Sequence, residues 1–168
     1  MGYTTDFYGE FTLDKQLKPE HKAYLVAFNE TRRMARDPKK AKSMPDPVRE
    51  AVGLPLGKDC EFFVGGEGYA GQGHDASIIN YNGTPSTQPS LWCGWVPNEE
   101  GTAIIWDGGE KFYEYIDWIE YLIKNFIKPW GYSLSGEIEW QGEERNDLGK
   151  IQISNNSVKI LHGSLIFK

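Results

Sequence analysis

The sequence predicts an α+β fold: a ferredoxin-like split βαβ, with two main helices on one face of an antiparallel sheet and a C-terminal hairpin. Three observations carry this. Helix and strand patterns follow one another in the order β-α-β-β-α-β, which is the split-βαβ order. The segment "YSLSGEIEWQ" alternates cleanly, with Tyr132, Leu134, Gly136, Ile138 and Trp140 on one side and Ser133, Ser135, Glu137, Glu139 and Gln141 on the other. Such a strand has one buried and one wet face, as antiparallel sheets do. Finally, "KIQIS" and "SVKIL" flank Asn155-Asn156, two residues that tolerate positive φ in a tight hairpin turn.

Along the chain, "YTTDFYGEFTL" is rich in Thr, Tyr and Phe and reads as the first strand. "KPEHKAYLVAFNETRRM" reads as a helix. Pro19 suits its first turn, and Tyr24, Leu25 and Phe28 fall on one face. A short second helix is predicted around "PDPVREAVGLP", a strand at "CEFFV", and a short strand at Ser77–Tyr81. "LWCGWV" and "TAIIW" around "PNEEG" predict a hairpin. In "WDGGEKFYEYIDWIEYLIKNFIKPWG", Asp107 with Glu110 three residues on forms a capping box. Phe112, Ile116, Ile119, Ile123 and Phe126 make an apolar stripe, and Pro129 and Gly131 end it. One helix over 110–127 is the prediction.

With 168 residues, the chain is long enough for a single domain over 1–168. No apolar run approaches a membrane span, and no secretory segment opens the sequence. Cys60 and Cys93 stand apart, without metal-ligand spacing, and read as buried thiols of a cytoplasmic protein. The net charge of −6 is unevenly spread. Residues 31–58 hold eight Lys or Arg against three Asp or Glu, while 59–110 hold eight acids and no Lys or Arg. The basic part, with Pro38, Pro45 and Pro47, reads as a mobile connection over about 35–47. It has no interleaved aromatics, and the chain as a whole is acidic, which argues against a nucleic-acid partner.

The most suggestive short motif is "GGEGYAG" at 65–71, where Gly66, Gly68 and Gly71 match G-x-G-x-x-G. A dinucleotide loop needs a helix after it, whose N-terminus holds the pyrophosphate. Here "QGHDASIINYNGTPSTQP" follows, with further glycines, two prolines and no apolar stripe at helical spacing, and no cation occurs between Lys58 and Lys111. The stretch 65–89 therefore reads as a long Gly-rich loop rather than a phosphate cradle.

Other chemistry is sparse. Glu137 and Glu139 project from one strand face, about 6.5–7 Å apart at Cα. A pair at that separation could serve inverting glycoside hydrolysis, or the two could be solvated surface residues. His74 and Asp75, with Glu67 and Cys60, fit no ligand pattern known for metals. No nucleophile motif occurs, and no cofactor is implied. The aromatic share is high, at 14% with six Trp and nine Tyr. Trp92, Trp95 and Trp106, with Tyr69 and Tyr81 in the Gly-rich stretch, either fill a core or line a stacking site for a small planar ligand.

The segments "PSTQPSLWCGWVP", "WDGGEKFYEYIDWIEYLI", "PWGYSLSGEIEWQGEERNDLGKI" and the opening "MGYTTDFYGEF…ETRRM" together resemble a family of small uncharacterised proteins of bacteria and their phages. The last third is also similar to the ferredoxin-like domain of some plasmid- and phage-encoded accessory proteins. The resemblance brings no named activity, and its mobile-element setting implies an accessory or binding role rather than housekeeping catalysis. The residues themselves point to a small planar ligand or a host protein, met by the aromatic hairpin and the Gly-rich loop. A small hydrolase using Glu137, Glu139 or His74 is the alternative.

Overall fold

β1 (Thr5–Leu13) lies in the middle of a six-stranded sheet, ordered β4-β5-β1-β6-β7-β8, in a computed structural model that describes residues 2–66 and 75–168. The neighbours are β4 (Trp95–Pro97), β5 (Ala103–Trp106), β6 (Leu134–Gly142), β7 (Leu148–Ser154) and β8 (Ser157–His162). Every pair is antiparallel. The α+β class and the antiparallel sheet stand as predicted, as do the Trp95–Trp106 hairpin and the C-terminal hairpin of β7 and β8.

Two compact units make up the chain. One is Met1–Leu17 with Gly94–Lys168, and the other is Lys18–Cys93. Of the two main helices predicted over one face of the sheet, α4 (Tyr115–Leu122) belongs to the sheet's unit and α1 (Pro19–Glu30) to the other.

In the sheet unit, the alternation of β6 is realised residue by residue. Leu134, Ile138 and Trp140 are buried, and Ser135, Glu137 and Glu139 are exposed. Two glycines let β1 and β6 pair over nine positions. Gly136 holds φ +136°, and a Cβ there would meet the Glu10 carbonyl oxygen at 2.7 Å, so a side chain would force the strands apart. Asn155 and Asn156 take φ values of 46° and 68° at the β7–β8 turn, the left-handed geometry predicted for them.

The aromatic core forms around Phe7. Its ring lies 5.2 Å from Trp95, 5.3 Å from Trp106, 5.6 Å from Phe112 and 5.0 Å from Tyr115, mostly edge to face, the arrangement that ring quadrupoles favour. At the β6–β7 turn, Tyr3 Oη donates to Asp147 Oδ2 at 2.6 Å and Trp140 Nε1 to Asp147 Oδ1 at 3.0 Å. Burial, with that carboxylate nearby, pushes the Tyr115 hydroxyl up to about 12.

The helix predicted over 110–127 starts at Tyr115 instead. Gly108, Lys111 and Glu114 all hold positive φ, so 107–114 is a loop. The Asp107 carboxylate accepts from Gly109 N at 2.7 Å and closes a local turn rather than capping a helix. After Leu122 the helix widens into a π turn over Ile123–Ile127, with Lys128 N donating to Ile123 O at 3.0 Å. The widening broadens the buried stripe. Ile119, Ile123 and Phe126 are buried as predicted, joined by Trp118, Leu122 and Ile127, while Ile116 is only half-buried.

In the second unit, α1 buries Tyr24, Leu25 and Phe28 as its pattern predicts. The short helix predicted around "PDPVREAVGLP" is Pro47–Ala51, here α3, and Pro38–Ala41 forms α2, capped by the Asp37 carboxylate. β2 (Ala35–Arg36) pairs antiparallel with β3 (Ile78–Asn80), the short strand predicted there. The basic stretch 35–47, predicted as a mobile connection, thus carries β2 and α2 and buries Arg36, Ala41 and Asp46. "CEFFV" is not a strand. Asp59 and Cys60 take φ of 56° and 59° in a 3-10 turn, which breaks extended geometry, and Phe63 drops into a small core with Ala41 and Cys60.

Ile119→Ala should cost about 2–5 kcal/mol, since its fully buried side chain leaves a cavity. Asp107→Ala should cost less than about 0.5 kcal/mol, because the exposed turn it closes caps no helix. Urea midpoints of the two variants check both values, and a larger loss in Asp107→Ala would restore the helix cap.

Candidate functional site

The arginines of "TRRMAR" supply what the acidic stretch 59–110 lacks in sequence. Arg33 and Arg36 are each only 4% exposed. Arg33 donates through Nε to Gln88 Oε1 at 2.9 Å and through Nη2 to the carbonyls of Glu61 and Phe63 at 3.0 and 2.8 Å. Its guanidinium lies 4.2 Å from the Phe28 ring centroid. Arg36 donates through Nη1 to Asp75 Oδ2 at 2.9 Å and to Ser77 Oγ at 2.8 Å, and lies 4.5 Å from the Phe63 ring centroid. Nη2 of Arg36 is buried and donates to no group among the described residues.

Arg32 points to the surface. Its guanidinium stacks on Tyr81, 4.1 Å from the ring centroid, and stands 5.9 Å from that of Trp92. Nε donates to the Tyr81 carbonyl at 2.9 Å, so the cation is tethered to the residue whose ring it covers. Tyr81 is 44% exposed. Cation, ring and indole come from the end of α1, the end of β3 and the chain before β4. A cation over a ring is worth about 0.5–1 kcal/mol at an exposed site, enough to order the side chains without closing the tyrosine to water.

The remaining predicted site residues fall into distinct settings. Trp95 is 1% exposed, donates Nε1 to the Tyr115 carbonyl at 2.8 Å and meets Phe7, Phe11 and Phe112 on its ring. It is a core residue with no face left for a ligand. Trp106 is half-buried, against Phe7, with Nε1 donating to Gly109 O at 3.2 Å. Trp95 and Trp106 belong to the sheet unit, and Trp92 and Tyr81 to the other. Tyr69 and His74 lie outside the described residues.

Glu137 and Glu139 stand half-exposed on the wet face of β6, with Lys150 Nζ 3.7 and 3.6 Å from them. Gln152 Nε2 donates to Glu137 Oε1 at 2.6 Å. A hydrolytic pair needs one carboxyl kept protonated by an apolar pocket. Neither carboxyl sits in such a pocket: both are exposed beside Lys150.

No metal-holding group of three His, Cys, Asp or Glu occurs among the described residues. No helix among them is long and apolar enough to cross a membrane. Both cysteines are buried, and burial pushes the Cys60 thiol up, away from the reactive thiolate. No protein-family model, curated protein or solved structure matches the chain.

Sequence reading passed over all three arginines, because a run of Arg, Lys and Pro without apolar neighbours resembles a solvated segment. A weak signal exists: "TRRMAR" follows a helix directly, and the apolar pair Met34-Ala35 sits between Arg33 and Arg36.

Asp75 carries a pH-dependent test. Burial raises its carboxyl, but bonds from Ser77 and Arg36 outweigh that and hold it below the usual range. The folded form therefore gains stability above the ordinary carboxylate range and loses it as pH falls through the depressed value. Wild type should exceed Asp75→Asn in thermal midpoint at pH 7, and the gap should close as pH drops below about 4. Midpoints measured from pH 7 to 2 check this; a gap that persists at the lowest pH would show that the ionised carboxylate is not its source.

Proposed function

We propose that this chain is an accessory protein that acts by binding a small planar ligand, stacked on the Tyr81 ring beside Arg32 and Trp92. One observation carries the reading: a 44%-exposed tyrosine whose ring is covered on one side by a guanidinium that also bonds its backbone. Such a platform is ordered before any ligand arrives, which lowers the cost of binding. Tyr81 belongs to the Gly-rich stretch singled out in the sequence, so Tyr69 and His74 remain partners of the same reading. Of the two candidate indoles in "LWCGWV", Trp95 leaves the ligand surface and Trp92 stays on it. A host protein in place of the planar ligand is the reading left if no ring binds.

The fold itself assigns no function, which rests on the site alone. We read the order β4-β5-β1-β6, all antiparallel, as the four strands of a ferredoxin-like split βαβ, with β7 and β8 appended. Two buried cysteine side chains fit a reducing cytoplasm. The hydrolase alternative loses support, since Lys150 stands beside both Glu137 and Glu139 and the two are open to water.

Titration with adenosine, NAD and ATP, followed by calorimetry, tests the platform. Ring-dependent binding should appear with adenosine as well as with the phosphorylated forms. Stacking on an aromatic side chain is worth about 1–3 kcal/mol, so Tyr81→Ala should weaken binding roughly tenfold or more, and Tyr81→Phe should preserve it. Binding that survives Tyr81→Ala, or none to any ring, would sink the proposal.

A further inference from the structure

The two edges of the sheet are unlike. β4 is three residues long and ends in Pro97, which cannot donate to a further strand. β8 is six residues long, and the chain continues the ladder one step further through Gly163 N to Leu148 O at 2.9 Å. Beyond it, Leu165, Ile166 and Phe167 are 45%, 75% and 80% exposed, and Leu161 is 37% exposed. Half of the eight large apolar side chains that stand exposed among the described residues therefore lie within seven positions. Phe167 lies under Arg145, 5.5 Å from its guanidinium. At the opposite end of β8, a groove opens between the helix and the strand, lined by Ile123, Lys124, Lys128, Asn156 and Val158.

We propose that two copies of this chain join through their β8 edges, each setting its Leu165–Ile166 segment in the other's groove. The groove lies at the start of β8 and the apolar segment at its end. Antiparallel pairing about a two-fold axis exchanges start for end, so one contact satisfies both copies, as an isologous interface requires. Residues facing one another across such a pair share a sheet face, which allows an axis at Ile160 or at Lys159. An axis at Lys159 would set two lysines directly opposite, which is destabilising. An axis at Ile160 sets isoleucine on isoleucine, Lys159 on Leu161, Val158 on His162, and Asn156 on Ser164. The following residues, Leu165 and Ile166, then fall opposite Asn155 and Ser154, which brings the segment to the groove at Asn155 and Asn156.

Charge points to the same occupant. The sheet unit holds fifteen Asp or Glu against eight Lys or Arg, yet residues 157–168 include two Lys and no acid. β8 and the segment after it are where two such acidic units meet without placing carboxylates face to face.

Sedimentation equilibrium of the full chain tests the pairing. The expected mass is twice 19.1 kDa. Leu165→Glu with Ile166→Glu should raise the dimer dissociation constant by about tenfold or more. Both positions are exposed, so the fold survives the change. Ile79→Glu, an exposed position in the other unit, should leave the constant unchanged. Amide exchange in β8 should slow as protein concentration rises. A single-chain mass up to about 100 µM, or a dimer indifferent to the double variant, would overturn the proposal.

Discussion

The sheet unit depends on how closely β1 and β6 approach one another. Their nine-position ladder joins the start of the chain to its last third, and the strands on either side are built outward from it. Gly9 and Gly136, with φ of 114° and 136°, face carbonyl oxygens of the opposite strand. With that spacing set, Phe7 reaches the centre of the aromatic cluster and Ile138 and Ile151 fall in register beneath it. A side chain at Gly136 would act on all of these together, because interiors are close-packed and do not absorb displacement locally.

The second unit is organised by polar contacts instead. Its apolar core around Phe63 is small. Arg33 and Arg36 span it, each stacked on a phenylalanine and bonded to chain segments distant in sequence. A guanidinium suits this task because its planar fork can stack and donate in several directions at once. Removing either residue would leave acceptors such as the Phe63 carbonyl without a donor in a buried place, a larger penalty than the bond itself is worth. Arg32, the third arginine of the run, uses the same ring-and-carbonyl arrangement at the surface.

Legibility followed the type of physics. Period-two alternation in β6 and the Asn155-Asn156 turn report local geometry, and both were readable. So were Tyr24, Leu25 and Phe28 on α1. The start of α4 was not, because Asp107 and Glu110 meet the capping-box pattern while three positive-φ residues downstream keep the chain in a loop. The π turn is equally silent in sequence, since Ile123 and Phe126 suit either helix. The site was read only in part. Tyr81 and Trp92 were candidates for stacking, but their cation lies 49 positions from Tyr81, and no window of sequence joins them. Trp95 and Trp92 look alike in "LWCGWV", and only the fold assigns one to the core and the other to the surface.

That division of tryptophans has an optical consequence. Of the six indoles, five belong to the sheet unit, and Trp92 alone belongs to the other. Trp95 and Trp118 are shielded from water and would emit at short wavelength. Trp92 is half-buried beside a guanidinium. Trp106 and Trp130 in the sheet unit are half-buried too, so the emission that Trp92→Phe removes, and how it changes on loosening, reports the arginine-bound half without any attached dye.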